Sequence, residues 1–200
     1  MGITRERFEQ GMSYAAYKEQ MTRNRDRFEE NERTLELNPE DVAFFAGLPR
    51  PLNVLVLAED WCGDVIANLP VLGRLAAASG KLNLSIFLRD QNLDLIDQYL
   101  KDGQHRSIPV FVFFDQDFRE LGHWIERPDR ISELQGALVA DLYASDPAFA
   151  DVAPGTAMAL LPDAARDRLM RAFAEFRAST RDEATNEVTR ELRELVASSQ

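Results

Sequence analysis

At 200 residues, with 45% hydrophobic and 28% charged side chains, the chain has the composition of globular material, enough for one domain with elaborations. Its formal charge is −11, of which −9 falls within residues 37–151; it lacks the clustered Lys/Arg that phosphate or anionic-lipid binding needs, so neither nucleic acid nor a membrane is an expected partner. A single cysteine excludes an internal disulfide, no apolar run is long enough for a membrane span, and Met1–Phe8 has no signal-peptide apolar region, from which a cytoplasmic protein is expected.

Residues 4–35 read as a charged helix with a narrow apolar stripe, Tyr14, Met21, Phe28 and Leu35 recurring every seven residues, interrupted early by Gly11. Asn38-Pro39-Glu40-Asp41 caps a short helix through Phe45, closed by Gly47 and Pro49. The centre then alternates. Strand 53–58 leads into helix 63–78, strand 82–88 into helix 93–100, and strand 110–114 turns into strand 120–125 before a helix over 129–143. Strand–helix–strand followed by a hairpin and helix predicts an α/β fold with a mixed sheet covered by helices on both faces, the continuous apolar strands lying centrally. Residues 146–155 read as a linker, and 163–197 as helix, with Leu169, Phe173, Phe176, Val188, Leu192 and Leu195 at three- and four-residue spacing. The expected organisation is an N-terminal helical extension (1–36), a central domain (37–145), and a linker with a C-terminal helical extension (146–200). The terminal helices need a partner for their apolar stripes, either their own domain or a second copy of the chain.

The chemistry concentrates at Trp61-Cys62-Gly63-Asp64-Val65, between the apolar run Val54–Ala58 and a helix. A cysteine at a strand-to-helix turn meets unsatisfied backbone N–H groups and the positive end of the helix dipole, both of which favour a thiolate. That end is worth ~0.3–1 kcal/mol, less than one pKa unit, and Glu59, Asp60 and Asp64 oppose it. The expectation is an accessible, thiolate-prone Cys62 whose acidity is modest.

These residues resemble the thioredoxin family, whose active site is Trp-Cys-Gly-Pro-Cys at the end of a buried strand. Trp61, Cys62 and Gly63 match in order, and Pro70 stands eight residues after the cysteine, where the family kinks its active-site helix. Asp90-Gln91-Asn92 resembles the end of the family's third strand. Ser107-Ile108-Pro109-Val110 resembles its cis-proline loop, which faces the cysteine. The resemblance covers residues 38–142 and implies a thioredoxin-like fold, a cis Ile108–Pro109 bond, and a substrate groove formed by Trp61, Gly63, Asp64, Ile108 and Pro109 around Cys62. The departures are consistent with one another. Val65 replaces the second cysteine, and Val56 and Ile86 replace the family's buried Asp and Lys, which assist proton traffic at that second cysteine.

Two functions remain open. Cys62 acts as a monothiol on a protein or glutathione disulfide, with no resident cofactor or metal and glutathione entering only as a co-substrate; or the chain is a redox-inactive interaction module and Cys62 a remnant. His105 and His123 are isolated and lack metal-ligand spacing, and Trp124 reads as a packing residue.

Overall fold

The computed structural model describes residues 3–199. Their secondary structure comprises α1 (Arg5–Phe8), α2 (Tyr14–Gln20), α3 (Arg25–Thr34), α4 (Pro39–Ala46), β1 (Leu52–Ala58), α5 (Gly63–Ser79), β2 (Leu82–Leu88), α6 (Leu93–Ile96), β3 (Val110–Phe114), β4 (Glu120–Ile125), α7 (Asp129–Ser145), α8 (Asp163–Ser179) and α9 (Arg181–Ala197), with short 3₁₀ turns between. Contacts divide the chain into two units: residues up to Arg127 together with those from Thr185 onward, and Pro128–Ala184.

The first unit is built on a four-stranded sheet in the order β2-β1-β3-β4. β1 and β2 are parallel, as a helical crossover through α5 allows, and β3 is antiparallel to both β1 and β4. The central strands are the apolar ones. Val54–Ala58 and Val110–Phe114 are buried throughout, whereas on edge strand β4 only Trp124 is buried. Val56 pairs with Ile86 on one side and Phe111 on the other, so the two positions where the family keeps its buried charges are neighbours here too, both fully buried and apolar. Apolar replacement removes the desolvation cost of such a pair.

The N-terminal segment is not one helix. Ser13 caps α2 by accepting from the Ala16 N–H, and Asn24 at φ 54° breaks the chain before α3. The seven-residue stripe is nevertheless buried where it matters: Met21, Phe28 and Leu35 join Phe8 and Tyr17 in the core of the sheet unit. Gly11 is explained by the sheet, because Met12 bridges Ile86 on the outer edge of β2 and a side chain at Gly11 would meet Ser85 Oγ and the Phe87 ring.

α3 also supports α5. Pro70 lies inside α5 and has no N–H, so the Ile66 carbonyl lacks its helical partner. The Asn31 side-chain amide donates to that carbonyl at 2.8 Å, and Arg74 reaches back to the Glu32 carbonyl at 2.7 Å. Gly73 lets the same helix approach Tyr14, whose ring occupies the space a Cβ would take.

The C-terminal helix also divides. Ser179 and Thr180 hydroxyls both donate to the Phe176 carbonyl, a local bond that competes with helical continuation. In the sheet unit, α9 buries Val188, Leu192 and Val196 in the core. Its Thr189 hydroxyl and Arg193 guanidinium hold the buried Asp41 carboxylate, at 2.6 and 2.8 Å. Glu191 accepts from the Trp124 indole N–H at 2.7 Å. Trp124 packs as expected, stacked on Phe111 with ring centroids 5.0 Å apart. In the second unit, α7 and α8 enclose a separate core of Leu142, Phe149, Leu161, Ala165, Leu169 and Ala172.

Candidate functional site

The site is built where β1 ends and α5 begins. Glu59, the first residue after β1, is buried, and its carboxylate accepts the Asp90 N–H at 2.8 Å, tying the ends of β1 and β2 together. Burial pushes the Glu59 carboxyl above the usual range. Asp60 is held from the N-terminal segment. Its carboxylate accepts the Thr22 and Arg23 N–H groups at 2.7 and 3.0 Å, and its carbonyl accepts from the Asn24 amide at 2.8 Å. The turn that presents Trp61 and Cys62 is thus clamped on both sides.

Cys62 is the N-cap residue of α5 and its one free thiol is half-buried. The S–H donates to the Ile108 carbonyl at 3.5 Å, across from the cis Ile108–Pro109 bond. Trp61, Cys62, Asp64 and Ile108 line one groove of about 670 Å³ together with Arg89, His105 and Arg106. Trp61 is 41% exposed, and the Arg89 guanidinium lies over its ring, 4.8 Å from the centroid. Gly63 and Pro109 do not line the groove. Gly63 is the first residue of α5. Pro109 is buried, and its carbonyl accepts the Glu126 N–H at 2.7 Å.

That last bond brings in residues the sequence reading missed. Arg127 donates to both Asp64 and Glu126 at 2.6 Å, and Lys101 holds the other oxygen of Glu126 at 2.6 Å. The Glu126 carbonyl accepts from the buried Asn68 amide at 3.0 Å. Arg127 is near enough to Cys62 that a thiolate there would stabilise its charge, and by reciprocity Arg127 favours the thiolate. The available signal was a charged pair placed directly after β4 and before Pro128, with the pairing to α5 fixed only by tertiary structure.

The thiol itself departs from expectation. Burial is the largest effect and pushes the Cys62 thiol up; the Asp64 carboxylate adds to this and Glu126 does so less, while the Val65 and Asp64 backbone N–H groups pull the other way. The donors of the helix terminus are present as anticipated, but desolvation outweighs them, so Cys62 is less acidic than an ordinary cysteine rather than more. The hydrogen bond to Ile108 belongs to the same state, since only the protonated thiol can donate it.

A parallel β1/β2 pair crossed through a proline-kinked helix, a hairpin entered through a cis-proline, and a cysteine capping that helix opposite the proline define a thioredoxin-like protein. A family model described as thioredoxin matches residues 11–142, and the chain belongs to the thioredoxin family. No curated protein matches it. Among solved structures, the crystal structure of an HIV epitope-scaffold is similar at 16% identity over 96% of this chain and 95% of that one, with a TM-score of 0.65. A protein of unknown function from Pseudomonas aeruginosa is similar at 21% identity over 89% and 96%, with a TM-score of 0.62. Both likenesses extend the shared fold well beyond the family-matched segment. Among the described residues no helix is long and apolar enough to cross a membrane.

Proposed function

We propose that this chain performs thiol–disulfide exchange as a monothiol through Cys62. The observation that carries the reading is the placement of Cys62, the N-cap of α5, in an open groove that Trp61 and Ile108 also line. In the first step the Cys62 thiolate attacks one sulfur of a protein or glutathione disulfide. A Cys62 mixed disulfide forms and the other sulfur leaves as a thiolate. Val65 cannot resolve it, so a second, external thiolate attacks the mixed disulfide, regenerating Cys62 and leaving with the bound group as a new disulfide. No resident cofactor enters this cycle, glutathione serves as co-substrate, and a reducing compartment such as the cytoplasm keeps Cys62 as the thiol.

The raised thiol pKa slows this chemistry without abolishing it. Each unit of pKa lowers the thiolate fraction tenfold at neutral pH, but the intrinsic nucleophilicity of the remaining thiolate rises with a Brønsted slope of about 0.4–0.5. The net loss is roughly three- to fourfold per unit. The same observation favours the second reading, a groove that binds a partner without redox chemistry. Native protein incubated with oxidised glutathione separates them. Monothiol exchange predicts one glutathione added at Cys62, reversed by dithiothreitol, with a rate that climbs into the alkaline range. A thiol that stays unmodified until the protein unfolds would overturn the redox reading and leave the binding module.

A further inference from the structure

The residues lining the Cys62 groove are joined in a closed circuit of contacts. Trp61 is bonded along the chain to Cys62, whose S–H donates to the Ile108 carbonyl at 3.5 Å. Two residues before Ile108, the Arg106 carbonyl accepts from Arg89 Nη1 at 3.1 Å. The same guanidinium lies over the Trp61 ring, 4.8 Å from its centroid, and so closes the circuit. Arg89 opens the 3₁₀ turn that follows β2, and its side chain is only 20% exposed. The Asp90 carboxylate fixes the fork, accepting from Nε at 2.9 Å and from Nη2 at 2.6 Å. Nη1 is thereby aimed at the loop and the planar face at the indole, a division of contacts that a lysine ammonium cannot reproduce. The loop is held at the same place by a second pair, Arg106 with Asp97, bidentate at 2.6 and 2.9 Å.

We propose that Arg89 is a positioning residue for the exchange reaction: it keeps the Trp61–Cys62 turn and the loop ending at Ile108 in register while Cys62 is a thiolate or a mixed disulfide. This rests on the monothiol reading. In the resting thiol, the Cys62 proton itself ties the turn to the loop through the Ile108 carbonyl. Ionisation removes that proton. Attack of the thiolate on a disulfide RS–SR then forms Cys62–S–SR and releases RS⁻, so neither state can donate to Ile108. An external thiolate R′S⁻ next attacks the sulfur of the bound group, giving RS–SR′ and returning the Cys62 thiolate. Both displacements need the reacting sulfurs held in line, at the stages when the thiol-dependent contact is gone. The Arg89 contacts to Trp61 and to the Arg106 carbonyl do not use the sulfur and persist through the cycle.

The test compares native wild type with Arg89→Gln and Arg89→Lys in two reactions of Cys62 at one pH: exchange with oxidised glutathione, and alkylation by iodoacetamide, a small reagent that asks little of the groove. Both rates scale with the thiolate fraction, so their ratio reports positioning rather than acidity. Relative to alkylation, exchange should slow roughly tenfold in Arg89→Gln, inside the loss on the order of 100-fold that an ångström of misplacement causes. Arg89→Lys, which keeps a cation beside Trp61 without the fork, should fall between the two. Hydrogen exchange over residues 101–108 supplies a second reading, with Cys62 capped as its methyl disulfide by methyl methanethiosulfonate. The capped wild type should protect this loop as well as the free thiol does, and capped Arg89→Gln should not. An unchanged rate ratio, or equal loop protection in the two capped proteins, would overturn the proposal. Should neither variant fold, the wild type decides alone, since a loop that opens when Cys62 is capped would overturn it. A folded wild type whose Cys62 takes no glutathione would instead overturn the monothiol reading itself.

Discussion

Replacing Asn31 by alanine removes the donor that compensates for Pro70. The Asn31 amide is 2.8 Å from the Ile66 carbonyl, and Ile66 is 1% exposed. Without Asn31 that carbonyl has neither its helical partner nor a side-chain donor. An orphaned buried acceptor costs about 1–3 kcal/mol, and because Asn31 is itself half-buried, partial access of water places the loss in the lower half, about 1–2 kcal/mol. With a urea dependence of about 2 kcal/mol per molar, the unfolding midpoint should fall by roughly 0.5–1 M. Trp61 and Trp124, the only tryptophans, both lie in the sheet unit, so fluorescence reports the relevant transition. The decisive comparison is a double-mutant cycle. Pro70→Ala restores an N–H at the position that bonds Ile66, and in that background Asn31→Ala should cost about 0.5 kcal/mol or less. An equal loss in both backgrounds would refute the claim that Asn31 acts through the carbonyl left open by the proline.

Asp64→Asn removes a carboxylate that raises the Cys62 thiol and frees Arg127, so the thiol pKa should fall and alkylation at neutral pH should quicken; a slower reaction would mean that the Asp64–Arg127 pair positions the sulfur. The wild-type chain should reduce insulin disulfides poorly unless a monothiol is added, and Val65→Cys, placed in the first turn of α5 one residue beyond Asp64, should raise that activity and yield an internal disulfide detectable by mass. Loss of one buried methyl-bearing side chain there should cost about 1 kcal/mol. Gly73→Ala should destabilise the sheet unit by about 1–3 kcal/mol through overpacking against Tyr14, and a combined Gly73→Ala, Tyr14→Leu protein should recover part of that loss in thermal unfolding.

Local pattern was enough for the sheet and for the position of the cysteine. The continuous apolar runs 54–58 and 110–114 and the Gly80 stop of α5 each follow from side-chain pattern or backbone preference over a few residues. Trp61-Cys62-Gly63, Pro70 and Ile108-Pro109 made the family legible for the same reason. The terminal helices were less legible. A seven-residue stripe runs across Asn24, and three–four spacings lie on both sides of Ser179-Thr180, where backbone conformation and hydroxyl back-bonding break the continuous helices that the sequence implies.

What only the tertiary structure decided is the character of the site. From sequence, Cys62 faces helix donors opposed by three carboxylates, from which a modestly acidic thiol is expected. Folding removes Asp60 to the Thr22–Arg23 clamp and ties Glu59 to Asp90. It pairs Asp64 with Arg127, and buries the sulfur enough that desolvation becomes the largest effect. Arg127 lies 65 residues from Cys62 along the chain, and no local pattern joins it to the site. The sign of a pKa shift depends on how much water is excluded and which charges share the space left. Those quantities belong to the packed chain, so the sequence alone located the candidate thiol, while the fold determined the surroundings that set its acidity.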